Sequence, residues 1–403
     1  MFLFTIITSL FLDSAATETY LQGLYQQSTM PISGTQDGGF SIHAQSIYDI
    51  SHVSRVFGEA SYTWGQSKGN KWVENADYEL LYPYLTCDTI GGGLRTEQYY
   101  FRGGYRWGKE HLMWHLALQY RALQSYRSID PRPKNKVADL QIDGSLGYID
   151  TQYVYNIIGR VGRYKQNNDI SFYSELGNTM LFHLVQPDED YARFAGDFTS
   201  AYYHGITAGG GLSLQPLSTG WLAGINYHYL SVTEELKSAT STPIARLRTH
   251  TAEAAIGYAT PLWRVQLHAA YTLRQGTQYI YGEVTGNYYH LLFTSTNYLE
   301  QQVTAGLSAS YRWNTHIGYL RLIGDIDYLH KLPTTSSTEH ARNYFDNLAT
   351  HLRASQLTAT LSLRYAFPIA HKYAWFFQPT ATYTYYTSQT YRWQVALLTG
   401  LCF

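Results

Sequence analysis

Charge, cysteine and long apolar runs are all scarce in this sequence. Only 15% of the 403 residues are Asp, Glu, Lys or Arg, and the formal net charge is −1. No basic surplus therefore points to nucleic acid. The two cysteines, Cys87 and Cys402, build no disulfide framework and cannot hold a structural zinc ion alone. Cys402 falls in a terminal strand and Cys87 in a loop, so a bridge between them is left open. Beyond the N-terminus no run of about 18 apolar residues occurs, which excludes membrane-spanning helices. No repeat of about 20 to 50 residues is present, which argues against a propeller. No plug-sized region precedes the first strand, which argues against a TonB-dependent receptor.

What is abundant points one way. The chain carries 39 tyrosines and 33 glycines. Tyr and Trp suit a membrane interface, where the ring is apolar and its OH or NH stays wet. Mean hydropathy is only −0.28. A transmembrane barrel hides its lipid face in every second residue, so the average is uninformative.

Alternation of period two recurs from about residue 18 onward. Trp263, Val265, Leu267, Ala269, Tyr271 and Leu273 interleave with Arg264, Gln266, His268, Ala270, Thr272 and Arg274. Val303 to Trp313, Leu357 to Tyr365 and Trp114 to Ala122 repeat the pattern. A helix would scatter these apolar residues around its circumference, so strands are the consistent reading. Tyr or Trp near the ends of the apolar faces matches the aromatic girdle of a barrel wall. Tight connections near residues 51–52, 108–111, 260–261, 314–315 and 368–372 alternate with long ones at 28–39, 65–95, 124–136, 276–299 and 331–349. Outer-membrane barrels pair short periplasmic turns with long external loops. The parity predicts an all-β chain: a transmembrane antiparallel β-barrel of about 16 strands, within a range of 14–18, with both termini periplasmic. It also makes residues 166–198 a single external loop, and a spanning strand over 170–176 would break it.

The last strand ends at a C-terminal phenylalanine. Trp393, Val395, Leu397, Leu401 and Phe403 share one face of it. This strand resembles the terminal signal by which bacterial outer-membrane barrels are recognised for insertion. The resemblance implies outer-membrane lipid, lipopolysaccharide and the barrel-assembly machinery as partners. Residues 1–16, an apolar run closing on Ser14-Ala15-Ala16, read as a signal peptide, although the usual basic residue is missing. Residues 17–403 then form one barrel domain.

The face opposite the lipid gathers Arg102, Arg106, Arg121, Arg264, Arg274, Arg312, Arg321, Asp325, Asp327 and Arg364 as candidate pore-lining residues. Arg55, Glu59, Asp139, Asp143, Glu253, His268 and Arg392 belong to the same lattice. Arg outnumbers the acids, so an anion-favouring pore is one reading. A bracing network of paired charges is the other. The aromatic loop over 75–93 reads either as a pore-constricting or ligand-binding element, or as a loop packing its own apolar residues over the mouth. Residues 126–139, with Pro131 and Pro133, read as a turn-rich external loop. Gly209 to Gly211 lie in a strand with no helix behind them, so they cradle no phosphate. No cofactor or metal is expected. Catalysis is the rival class: His250, His330 and His340 lie near the rim, yet none neighbours a nucleophile in a family motif.

The segments DYELLYPYL (residues 77–85), YYFRGGYRWG (99–108) and YRSIDPRPKN (126–135) resemble an uncharacterised outer-membrane barrel family of Bacteroidota. That resemblance implies a fold and a location and transfers no site residue. Together these readings predict a porin-like channel or transporter for small hydrophilic solutes. An occluded barrel serving as a surface or secretion-partner platform is the alternative, which inward aromatics such as Phe57 and Phe376 would favour.

Overall fold

The computed structural model describes residues 17–402 except 174–180, 187–188, 191–199, 238–240, 286–287, 316–317, 333–334, 337–351 and 371–372. The segment read as a signal peptide, and Phe403, lie outside the described residues.

Sixteen long strands form one antiparallel sheet that closes on itself. They are β1 (Glu18–Ser28), β2 (Gln36–Ser51), β3 (Ser54–Lys68), β4 (Arg95–Lys109), β5 (Leu112–Tyr126), β6 (Arg132–Ile149), β7 (Tyr153–Ser171) and β8 (Ser200–Pro216). The second half comprises β9 (Gly220–Lys237), β10 (Ser241–Ala259), β11 (Trp263–Thr285), β12 (Tyr288–Thr315), β13 (Gly318–Lys331), β14 (Gln356–Ala370), β15 (Tyr373–Tyr386) and β16 (Tyr391–Cys402). Each pairs with its neighbour in sequence. The first and last strands complete the ring, with Glu18 opposite Cys402 and Ser28 opposite Arg392. Closure leaves no unpaired edge, which a wall in hydrocarbon requires. This is a transmembrane β-barrel.

Register keeps one set of side chains outside all the way round. Leu118, Ile142, Val161, Ile206, Ile225, Ile256, Leu267, Ile326 and Leu361 are all exposed on the outer face. Trp263 and Tyr271 bound that band on β11. Eight residues at about 3.3 Å each separate them by about 26 Å along the strand. A tilt of about 40° reduces this to roughly 20 Å across the membrane.

Several connections differ from the expectation. β5 and β6 continue to Tyr126 and from Arg132, so most of 126–139 is strand. β11 and β12 run on to Thr285 and from Tyr288, turning the expected loop at 276–299 into a hairpin that projects past the wall. Residue 170 belongs to β7, which simply ends at Ser171 instead of starting another crossing. Each miss has one cause: where a strand leaves the bilayer its outward face is wet and its buried inward face admits polar residues such as Asn135 and Asn168, so the alternation fades. Glu18 and Cys402, the first and last strand residues, lie at the rim that carries the short connections. Cys87 and Cys402 are both free thiols.

Leu267, 57% exposed, sits midway between its two girdle residues. Leu267→Arg should cost about 2–4 kcal/mol of barrel stability. Urea-driven unfolding in lipid vesicles checks this, and an unchanged midpoint would mean that the outer face does not meet lipid.

Candidate functional site

Residues 69–94, which join β3 to β4, turn into the barrel. Asn70 and Gly92 close the neck of this loop through reciprocal backbone hydrogen bonds of 3.1 and 2.7 Å. Gly91 and Gly92 carry positive φ values of 72° and 148°, and a side chain at Gly91 would strike the Asn70 carbonyl. Beyond the neck lies α1 (Tyr78–Leu81), followed by the short strand Thr86–Cys87. That strand pairs with Phe182–Gln186 from the β7–β8 connection, so two loops build one small inner sheet. Leu81, Tyr82, Tyr84, Leu85 and Cys87 pack against wall residues Tyr164, Tyr203, Val232, Leu247 and Tyr298. A segment this apolar would be costly in water, and the lumen is where it is buried.

Polar contacts decide where the loop docks. Asp77 takes two hydrogen bonds from the Arg121 guanidinium, at 3.1 and 2.6 Å, and a third from the Tyr164 hydroxyl at 2.9 Å. Arg274 Nη2 donates to the carbonyls of Leu80 and Tyr82, each at 2.8 Å, while its Nη1 lies 3.6 Å from Glu300. The Tyr84 hydroxyl donates to Asn297 Oδ1 at 3.1 Å. Gly276 is needed beneath it, because a methyl there would overlap that hydroxyl. Arg127 Nη2 contacts both Glu74 and Asp88 at 2.7 Å, and all three side chains are buried. Two carboxylates thus share one guanidinium. Burial, followed by the Asp88 carboxylate beside it, pushes the Glu74 carboxyl well above its ordinary value of 4.5.

A cavity of about 470 Å³ remains between the loop and β1–β3, lined by polar Gln22, Gln26, Ser41 and Thr63 together with apolar Leu24, Phe40, Trp64 and Leu123. On the other flank is a second cavity of about 320 Å³. Arg392 reaches both. The lumen is therefore narrowed by an element docked inside it.

The model of a family of unknown function, DUF6850, matches residues 8–403. The chain belongs to this family. No curated protein matches the sequence. Among solved structures, a Pseudomonas aeruginosa FadL homologue is 10% identical with a TM-score of 0.44, covering 96% of this chain and 89% of that one. A bacterial polysaccharide outer membrane secretin is 9% identical with a TM-score of 0.41, covering 96% and 98%. The CymD monoaromatic hydrocarbon channel is 10% identical with a TM-score of 0.40, covering 97% and 88%. At such values the likeness transfers no residue of the lumen.

In this DUF6850 barrel the ten residues assigned by alternation to the lumen stand on the inner face, at different heights. Arg121 and Arg274 hold the loop. Arg102 lies 3.6 Å from Asp143, and His268 2.6 Å from Asp327. Arg364 meets Glu18 at 2.6 Å and lies over the Phe376 ring. Arg321 is directly opposite both Arg312 and Arg364, a rung of three cations near the short-connection rim. Asp325 shares the strand of Arg321, and Arg106 and Arg264 lie near the same rim. Phe57 and Phe376 both point inward, the latter buried. Trp393, Val395, Leu397 and Leu401 keep to the outer register of β16.

Sequence reading missed Arg127 and Glu74, the most buried ionic anchor. Nothing marks two residues 53 positions apart as partners. The one available signal was the apolar content of 80–85, too high for a loop in water.

The histidines do not assemble a catalytic group among the described residues. His250 faces outward and accepts or donates at 2.7 Å with the Tyr227 hydroxyl. His330 is 3.3 Å from Ser355 Oγ, but that hydroxyl is buried and takes the Lys331 N–H. His340 lies outside the described residues.

Because burial and the Asp88 carboxylate raise the Glu74 carboxyl in the docked loop, docking should be strongest below its ordinary value of 4.5. It should weaken as pH rises toward the raised value, since the free loop ionises first. Proteolytic cleavage within 70–92 should thus accelerate at alkaline pH, and Glu74→Gln should flatten that rise. Equal pH dependence in both proteins would contradict the raised Glu74 carboxyl beside Asp88.

Proposed function

We propose that this protein is a bacterial outer-membrane barrel that passes small hydrophilic solutes and is gated by its own inward loop. The observation that carries the reading is the docking of 69–94 by exchangeable ties, with cavities left on both flanks. A sixteen-stranded wall supports an aqueous lumen once such an element moves. Ion pairs and hydrogen bonds can be traded for water or for a solute, so the loop can leave without unfolding the wall.

The remaining assignments belong to the same reading. The rim with short connections, where both termini lie, faces the periplasm. The lumen-facing Arg102, Arg106, Arg121, Arg264, Arg274, Arg312, Arg321, Asp325, Asp327 and Arg364 meet the passing solute or hold the gate. The outer face of β16 meets lipid and is read by the assembly machinery during insertion, and lipopolysaccharide surrounds the external half. A source in Bacteroidota rests on the resemblance of its loop segments. A second reading, a closed barrel used as a binding platform, is favoured by the burial of Tyr82 and Phe376.

Single-channel recording in a planar bilayer separates the two. The intact protein should conduct weakly or in brief openings. Replacing residues 72–90 by a short Gly-Ser linker should raise conductance several-fold. A linker variant that folds yet stays as closed as the parent would sink the channel reading and leave the platform.

A further inference from the structure

Most luminal charge in this barrel is already paired. Arg102 with Asp143, Arg121 with Asp77, Arg127 with Glu74 and Asp88, Arg364 with Glu18, and His268 with Asp327 account for much of the lattice. The bracing reading therefore holds for these members, and counting arginines does not by itself make the whole pore favour anions.

One place departs from this balance. The cavity of about 320 Å³ beside the loop tip is lined by Arg274, Lys331 and Arg392 but by a single carboxylate, Glu79. Glu300 lies behind and answers Arg274 at 3.6 Å. Lys331 Nζ donates to the Leu352 carbonyl, a neutral partner, and shares the field of Glu300 with Arg274. The Arg392 guanidinium makes no hydrogen bond or ion pair among the described residues. Asp37 and Glu79 are in its neighbourhood, and neither comes within ion-pair distance of it. Counting Glu300 and leaving out Asp37, which lines the neighbouring cavity, three cations of this space face two acids.

The rest of the lining sets the shape of the counter-ion. Met30, Leu80, Leu230, Leu329, Leu352 and Tyr82 contribute apolar surface. A hydrated inorganic anion would use only the polar part of the lining, Thr249, Thr272, Gln302 and Gln356, whereas a carboxylate on a small apolar or aromatic body meets both parts. The volume is at the lower end of small-molecule sites, which start near about 300 Å³.

We infer that this cavity binds a small organic monocarboxylate, its carboxylate on Arg392 and Lys331 and its apolar body against the leucine wall. A ligand seated there touches α1 and the strands that hold it, so binding and the position of the loop are coupled. The inference rests on the reading of the barrel as a gated passage and names the solute class for it.

Benzoate is a suitable probe, with benzamide as its neutral counterpart of nearly the same shape. Isothermal titration into the folded full-length barrel in detergent should show benzoate binding at least tenfold tighter than benzamide. Arg392→Gln should weaken benzoate at least tenfold and leave benzamide unchanged, while Arg392→Lys restores part of the loss. Heat-modifiable mobility on gels verifies that each variant is folded. Equal affinity for benzoate and benzamide, absence of benzoate binding, or a folded Arg392→Gln with unaltered affinity would each overturn the inference. The wild-type comparison decides the matter even where a variant does not fold. Failure here with loop-dependent conductance intact removes the carboxylate site alone. Benzoate binding without that conductance keeps the site and removes the passage.

Discussion

The seam between β1 and β16 is the constraint on which the rest depends. Eleven registered pairs, from Glu18 opposite Cys402 to Ser28 opposite Arg392, close a sheet that would otherwise expose a row of unpaired N–H and C=O groups to hydrocarbon. Each such group would cost several kcal/mol in lipid, more than any side-chain contact in the wall returns. Closure then dictates the sequence pattern. Every residue of a strand faces either lipid or lumen, and one misplaced step would invert both faces.

The outer face has one demand, apolarity, and Leu, Ile and Val meet it. The inner face has a harder problem, since sixteen strands enclose more space than side chains alone can fill. This chain answers with pairing and with filling. Cross-lumen and cross-strand ion pairs neutralise the wall, and residues 69–94 fold inward to bury Leu81, Tyr82 and Leu85. The filling element is tied by Asp77, Glu74 and the carbonyls of Leu80 and Tyr82, groups that water or a solute can also satisfy. That is why the same contacts can close the barrel and let it open.

How much of this was legible beforehand follows from the range of each interaction. Alternation such as Trp263 to Arg274 is local and strong, so the strand number, the inner arginines and the outer face of Val395 and Leu397 could be read directly. Strand ends could not. Gln275 to Thr285 and Arg132 to Lys136 continue as strand beyond the membrane, where neither face is compelled to be apolar. The destination of the long loop was also hidden. It depends on Asp77 finding Arg121, 44 residues away, and on Glu74 finding Arg127, 53 away. No local pattern encodes such pairs. Loop composition alone left the choice between the lumen and the mouth open, and the three-dimensional contacts place the loop inside.

The central claim is that this loop is docked within the wall, and Cys87 reports on it directly. The thiol is fully buried between the inner strand and the wall, and burial pushes it well above its ordinary range, so it is both hidden and weakly reactive. In a Cys402→Ala background, folded barrel would be exposed to a membrane-impermeant maleimide and labelling at Cys87 followed over time. The account predicts no labelling over the interval in which the unfolded chain is labelled completely. Rapid labelling of the folded protein would put the loop outside the lumen and contradict the account.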